Sequence, residues 1–159
     1  MLPLISGINN YSFTFKIVML WAFHYLVVGI HEEFYFRGII LSLFKNNLKK
    51  AIIISSIIFG MIHLSNLSYL IFNNELIFSE FLLSTLLQVF YAFIAGVVYA
   101  EIVVMTKSIL PVIFFHTIGN FTSSISNESL IIGVIQGLLL TIFAIVMWIK
   151  IFRKNPNYT

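Results

Sequence analysis

Four polar side chains of this 159-residue sequence lie within long apolar stretches: Glu32, His63, His116 and Asn120. A charged residue at the centre of a membrane helix costs about 2.5 to 3.5 kcal/mol on insertion scales, so such groups are candidates for function. Hydrolysis of an amide needs a base, a group that holds the attacking water, and donors for the tetrahedral oxyanion. Glu32, His63 and the pair of His116 and Asn120 supply one candidate for each task.

Three of these residues have similar expected depths in a membrane. Glu32 and His63 each lie 13 residues, and His116 lies 9 residues, from the nearest lysine of a loop that flanks its apolar run. At about 1.5 Å per helical residue, these offsets correspond to depths of roughly 14 to 20 Å. Scattered structural residues would have no reason to share a depth. The sequence therefore predicts that three helices bring these groups into one layer.

Two pairs of residues at a spacing of i and i+4 indicate local roles. Glu33 and Arg37 lie on one helix face, where they can form a charge-assisted pair, whereas Glu32 points about 100° away and stays free for chemistry. His116 and Asn120 can present an imidazole and a carboxamide to one point. Such a pair can donate hydrogen bonds to an oxyanion.

Other interpretations of the polar layer remain open. The groups could hydrogen-bond to one another and so hold the helices together. They could also shuttle protons, although the repeated broken helices of transporters are absent from the sequence. The run from His31 to Tyr35 nearly spells the zinc-protease helix H-E-x-x-H, but Tyr35 stands where the second histidine is needed. With no cysteine and no G-x-S-x-G elbow, a side-chain nucleophile has no evident basis.

Three weaker signals concern residues near the polar layer. Phe59 lies one helical turn before His63, and we expect it to pack beside that histidine. Gln88 and Glu101 in the third apolar run could line a cavity. Because Glu101 is close to Lys107, we interpret it as an ordinary interfacial residue.

The composition places these residues in a membrane protein. The chain is 60% hydrophobic and 9% charged, with a mean hydropathy of +1.01, against roughly 25% charged residues in soluble domains. At about 20 residues per span, we predict an all-α, polytopic bundle of about five transmembrane helices that forms a single domain over residues 1–159. The candidate spans are Ile17 to Phe44, Ala51 to Leu64, Phe81 to Met105, Ile109 to Ser123 and Leu130 to Ile149.

The first span is longer than a membrane is thick. As one helix it would reach roughly 42 Å, against about 30 Å for the hydrocarbon core, so we expect a tilt, or a break near Gly29 or Gly38. Basic loops follow the first, third and fifth spans, and acidic loops follow the other two. The positive-inside rule then puts the polar layer toward the cytoplasm. A net charge of +3 suits lipid headgroups and gives no nucleic-acid signal.

Three motifs on separate apolar runs resemble those of the CPBP family, which includes CAAX prenyl proteases and bacteriocin-processing or abortive-infection (Abi) proteins. The segments Glu32 to Gly38, Phe59 to His63 and His116 to Asn120 match E-E-x-x-x-R, F-x-x-x-H and H-x-x-x-N in order. The similarity covers residues 28–121, which is most of the chain. Relatives usually have more spans before the paired glutamates, so the chain resembles a short or N-terminally truncated member.

The resemblance implies an intramembrane endopeptidase with assigned roles for the motif residues. Glu32 would be the catalytic base, and His63 would help to bind and activate the water. His116 with Asn120 would stabilise the oxyanion. The remaining motif residues would support the site: Glu33, Arg37 and Phe59.

The resemblance leaves the cofactor and the biological context open. The family is commonly described as metalloproteases, and Glu32, His63 and His116 would form a His₂Glu zinc set with an open position for water. A partly buried glutamate can also act as a base without metal. The implied substrate is a peptide or protein segment near the cytoplasmic leaflet of a bacterial plasma membrane, in peptide maturation or bacteriocin self-immunity. A non-catalytic immunity or scaffold protein of the same fold is the alternative, and the oligomeric state is open.

Overall fold

The computed structural model describes residues 14–44, 46–65, 78–126 and 130–154. This part of the chain forms five helices and contains no strand, so the predicted all-α bundle is confirmed. The predicted spans agree with the helices to within a few residues at most ends. The helices are α1 Phe15–Leu43, α2 Leu48–Ile62, α3 Phe78–Thr106, α4 Leu110–Ile125 and α5 Leu130–Lys154.

Three of the helices are long and apolar enough to cross a membrane: α1, Thr85–Thr106 of α3, and Ile131–Arg153 of α5. With 15 and 16 residues, α2 and α4 are shorter, and they reach only about 22 to 24 Å. Broad apolar faces of α1 and α5 are exposed, as expected for helices that contact lipid. The cytoplasmic orientation stays a prediction, because several loop residues that define it lie outside the described residues: Lys45, Glu75 and Glu128.

Local sequence signals set the ends of the helices. Asn47 is the N-cap of α2, and its Oδ1 accepts a hydrogen bond from Lys50 N at 2.9 Å. The turn after α3 contains Lys107 with a φ of 58°, in the left-handed region that ends helices. Pro111 lies in the first turn of α4, where its missing N–H removes no helical hydrogen bond.

A π-helical segment lies inside α1. The segment Phe34–Ile40 begins directly after Glu33, and α geometry resumes for the last residues of the helix. The break expected near Gly29 or Gly38 therefore does not occur, because wider turns carry the helix onward without interrupting it. Single-turn π segments are rare and are frequently found at functional sites.

Two glycines allow close contacts between helices. At Gly96 of α3, a Cβ would lie 3.2 Å from Ser56 Cα of α2. At Gly29 of α1, a Cβ would lie 2.7 Å from Thr117 Oγ1 and 3.3 Å from Ile113 O of α4. Small residues of this kind let helix backbones approach in membrane bundles. In this bundle α2 packs against α3, α1 packs against α4, and α5 packs against α3.

Glu101 of α3 is buried inside the bundle and not placed at the membrane interface. The residue is 0% exposed, and neither carboxylate oxygen has a hydrogen-bond partner among the described residues. Its helical neighbours at i−4, i−3 and i+3 are Val97, Val98 and Val104, which belong to the main apolar core. The interpretation of Glu101 as an interfacial residue near Lys107 is therefore wrong.

Candidate active site

A buried ion pair within α1 forms the centre of the site. Arg37 Nε lies 3.1 Å from Glu33 Oε2, and both side chains are 0% exposed. The contact is an ion pair between two buried side chains. The expected pairing of Glu33 with Arg37 is thus present at the start of the π-helical segment.

Arg37 also attaches α1 to α2. Its Nη1 donates to Ser55 Oγ at 2.8 Å, and Ser55 Oγ donates to Phe36 O at 3.0 Å. The guanidinium carbon lies 4.9 Å from the ring centroid of Phe59 and 6.0 Å from that of Phe36, within the range of cation–π attraction. These contacts hold the arginine in place to compensate the buried charge of Glu33.

The imidazole of His116 lies between two neighbouring glutamates. Its Nδ1 is 2.8 Å from Glu33 Oε1, and its Nε2 is 3.7 Å from Glu32 Oε2. An ionised carboxylate can only accept hydrogen bonds. His116 Nδ1 therefore carries a hydrogen and donates a hydrogen bond to Glu33 Oε1. The other nitrogen, Nε2, faces Glu32. Both carboxylates of α1 therefore contact one ring of α4.

Glu32 provides the partly exposed carboxylate of the site. Its side chain is 23% exposed, whereas its Oε2, the oxygen that faces His116, is buried and has no hydrogen-bond partner in the described part of the chain. The 3.7 Å separation from His116 Nε2 is too long for a direct hydrogen bond. A partly exposed carboxylate with an unsatisfied oxygen is suited to act as a general base.

His63 lies at the edge of this cluster. It follows the last residue of α2, and its Nδ1 is 2.9 Å from Phe59 O. Since a carbonyl only accepts, Nδ1 carries the proton and Nε2 is the acceptor. The ring centroid of Phe59 is 5.3 Å from that of His63 and 5.8 Å from that of His116. Among the described residues, His63 makes no ion-pair contact with a carboxylate, so the structure does not bring it directly to Glu32.

Asn120 follows His116 by one turn of α4, as the spacing requires. Its side chain is partly buried. Within the described ranges, no hydrogen bond occupies its carboxamide. It is therefore able to donate to a ligand that approaches the same face of α4.

The structure does not assemble a three-ligand zinc set. Zinc ligands in proteins must lie about 2.0 to 2.2 Å from one point. Over the ranges that the structure describes, no three histidine, cysteine or acidic side chains are close enough to hold a metal ion. Glu32 and His116 approach each other, but His63 Nδ1 bonds to Phe59 O. The candidate ligands in this arrangement do not fit a His₂Glu site, so no catalytic step is assigned to a metal.

Two residues outside the main motif positions contact the site. Tyr99 of α3 is 8% exposed, and its ring centroid lies 5.6 Å from that of His116. Ser55 of α2 connects Arg37 to the backbone of α1. Sequence reasoning missed both contacts. A tyrosine or a serine is common within an apolar span, and neither residue stands at a helical spacing from the motif residues of another helix that would predict its contact.

The sequence also matches a known family. A family model described as type II CAAX prenyl endopeptidase Rce1-like matches residues 14–122. The chain belongs to this family. The match to the Rce1-like family runs from the start of α1 into the last turn of α4, so it contains the whole polar cluster. It confirms the resemblance to CPBP proteins. No curated protein and no solved structure matches the chain significantly.

Membership of the Rce1-like family identifies the chain as an integral membrane protein of the CAAX-protease type. Its three long apolar helices agree with this assignment.

Proposed function

We propose that this Rce1-like protein is an intramembrane endopeptidase that hydrolyses a peptide bond with a water activated by Glu32. One observation carries the proposal: Glu32 Oε2 lies 3.7 Å from His116 Nε2, and it has no hydrogen-bond partner among the described residues. A partly exposed carboxylate with an unsatisfied oxygen and an imidazole thus meet beside a buried ion pair. Family membership supports the same class of reaction.

In the proposed reaction, Glu32 accepts a proton from the water while the water oxygen attacks the carbonyl carbon of the peptide. The electron pair of the C=O bond moves to its oxygen. When this oxyanion collapses, the C–N bond breaks and Glu32 gives the proton to the leaving amine. Proton transfer by a positioned side chain contributes about 10²- to 10⁴-fold to a rate.

His116 and Asn120 are the proposed donors to the oxyanion. Because the Nδ1–H of His116 already donates to Glu33, donation from Nε2 requires that the ring carry both protons. The carboxylates of Glu33 and Glu32 lie on either side of the ring and offset that positive charge. Removing one donor of this kind typically costs about 10²- to 10³-fold in kcat.

His63 is proposed to help hold the attacking water. Its Nε2 is the nitrogen available for this task, because Nδ1 donates to Phe59 O. The position of His63 directly after the end of α2 supports this role, since residues at a helix end are less constrained than those inside it.

The proposed substrate is a peptide or protein segment near the cytoplasmic leaflet of a bacterial plasma membrane, in peptide maturation or bacteriocin self-immunity. The alternation of basic and acidic loops supports the cytoplasmic side. The bias toward isoleucine, asparagine, lysine and phenylalanine supports a bacterial source. The partners are then the bilayer and a peptide, without nucleic acid.

The test uses the purified chain in detergent with a library of membrane-proximal peptides, and mass spectrometry detects the products. We expect the parent protein to cleave and Glu32→Gln to lose at least about 100-fold in rate. We also expect His116→Asn, which replaces a proposed oxyanion donor, to cleave more slowly than the parent. His24→Asn is its control and should cleave like the parent, because His24 lies on the exposed surface of α1. Equal cleavage by the parent protein and Glu32→Gln would eliminate the proposed base. Chelator treatment and metal analysis of the same preparation separate metal-dependent from metal-free catalysis.

A non-catalytic scaffold or immunity protein is the second candidate. It is favoured by the extent to which the buried groups satisfy one another: Glu33 binds both Arg37 and His116, and Arg37 binds Ser55. These contacts join α1, α2 and α4. A parent protein that cleaves no peptide, but protects cells in a manner independent of Glu32, would support this function in place of proteolysis.

A further inference from the structure

Aromatic rings from two helices enclose the imidazole of His116. The ring of Tyr99 on α3 lies 5.6 Å from it, centroid to centroid, with 36° between the planes. The ring of Phe59 on α2 meets it edge-on at 5.8 Å, with 85° between the planes. Glu33 holds Nδ1 at 2.8 Å. The imidazole therefore has an aromatic neighbour on each of two helices and a hydrogen-bond partner at one nitrogen.

Tyr99 also belongs to the main apolar core of the bundle. Its side chain is buried, at 8% exposure, among apolar residues of that core. One side chain of α3 thus connects the histidine to the apolar core. None of the sequence motifs includes a residue of α3, so Tyr99 adds a fourth helix to the site.

We propose that Tyr99 is a positioning residue, whose ring keeps the His116 imidazole in the orientation in which Nε2 faces Glu32. A hydrogen bond at Nδ1 fixes one atom of the imidazole, but it leaves the ring able to tilt about that atom. Packing of the Tyr99 ring beside the imidazole opposes this tilt. The proposal rests on the proposed function for its kinetic effect, whereas the orientation of the ring is a property of the folded protein.

The kinetic test separates the ring of Tyr99 from its hydroxyl. Tyr99→Leu removes the ring and Tyr99→Phe keeps it, while Tyr91→Leu is the matched control, two turns earlier on α3 with 37% exposure. We expect Tyr99→Leu to lower kcat by up to about 100-fold, the effect of a misplacement of about 1 Å, with KM little changed. Tyr99→Phe should restore most of kcat, and Tyr91→Leu should match the parent. A Tyr99→Phe variant as impaired as Tyr99→Leu would overturn the role of the ring.

A second measurement does not depend on proteolysis. Histidine-selective NMR of the protein in detergent reports the surroundings of the His116 ring, whose signal is identified by its loss in His116→Asn. We expect this signal to shift in Tyr99→Leu, to return toward the parent position in Tyr99→Phe, and to stay in place in Tyr91→Leu. Tyr99→Met replaces the leucine variant should that variant fail to fold.

The two measurements distinguish a failure of the positioning role of Tyr99 from a failure of the proteolytic function. An unshifted His116 signal in a folded Tyr99→Leu protein overturns the positioning role, whatever the protein cleaves. A shifted signal in a protein that cleaves no peptide supports the placement of the ring and contradicts only the proteolytic function.

Discussion

Replacing Glu33 by glutamine removes a charge from the buried cluster and leaves its volume almost unchanged. Arg37 lies 3.1 Å from the affected oxygen, and both side chains are 0% exposed. Removing one partner of a buried ion pair costs about 3 to 5 kcal/mol, because the other charge is left uncompensated. Arg37 would keep its contacts with Ser55 and Phe59. We therefore expect a loss near the lower end, about 3 kcal/mol.

The assay is reversible unfolding in detergent of four proteins: the parent, Glu33→Gln, Arg37→Met and the double variant. If the loss comes from an uncompensated charge, the double variant should lose less than the sum of the single variants, because it leaves neither charge unpaired. Glu32→Gln is the matched control. The Glu32 side chain is 23% exposed and forms no ion pair with the arginine among the described residues, so we expect the stability of this variant to change by only about 0.5 kcal/mol.

Two results would refute this reasoning. Additive losses in the double variant would show that Glu33 and Arg37 contribute independently. A Glu33→Gln protein as stable as Glu32→Gln would show that the arginine finds compensation elsewhere, in a rearranged site or from water.

Three further predictions concern the helices around the site, and thermal unfolding in detergent checks each of them. Glu101→Met should stabilise the protein by about 1 to 3 kcal/mol, because it removes a buried polar group that has no partner among the described residues; a loss would reveal a partner. Gly96→Ala should destabilise the bundle, since its Cβ would lie 3.2 Å from Ser56 Cα. Gly137→Ala is the control: nothing lies within 4 Å of its Cβ, so the variant should gain up to about 1 kcal/mol of stability from helix propensity. A change in stability of the same sign in both variants would contradict the contact at Gly96. Ser55→Ala should cost about 0.6 to 1.7 kcal/mol, the range for hydrogen bonds between membrane helices, and an unchanged midpoint would argue against its role in holding Arg37.

Distances along a helix were the most informative part of the sequence. The rise per residue is nearly constant, so counting from the loop lysines put Glu32 and His116 at similar depths, and the structure brings them within 3.7 Å. The i and i+4 spacing of Glu33 and Arg37 is equally local, and their side chains meet inside one helix. Such inferences do not depend on how the helices are arranged around one another.

The lateral arrangement of the helices could not be derived in this way. His63 has the expected depth, but its imidazole bonds to Phe59 O of its own helix, and depth alone does not predict this. On α3 the sequence offered Gln88 and Glu101 as possible cavity residues and gave no role to Tyr99, which makes the contact with His116. Glu101 follows Tyr99 by two residues, which is about 200° around the helix, so it lies in the core away from His116. Only the packing of α3 reveals which face meets the site.

The adjacent glutamates show how packing gives two identical residues different environments. Their side chains leave α1 about 100° apart, and the two nitrogens of His116 lie on different edges of its ring, so one imidazole can face both carboxylates. The direction that meets Arg37 is closed, and Glu33 is 0% exposed, whereas the side chain of Glu32 is 23% exposed with its Oε2 buried against His116. Environment rather than residue type therefore distinguishes the carboxylate that pairs with Arg37 from the carboxylate that we propose as the base. An aspartate in place of Glu32 would retain the acid but withdraw it from His116 by one methylene, so the reach of Glu32 is as much a part of the proposed site as its charge.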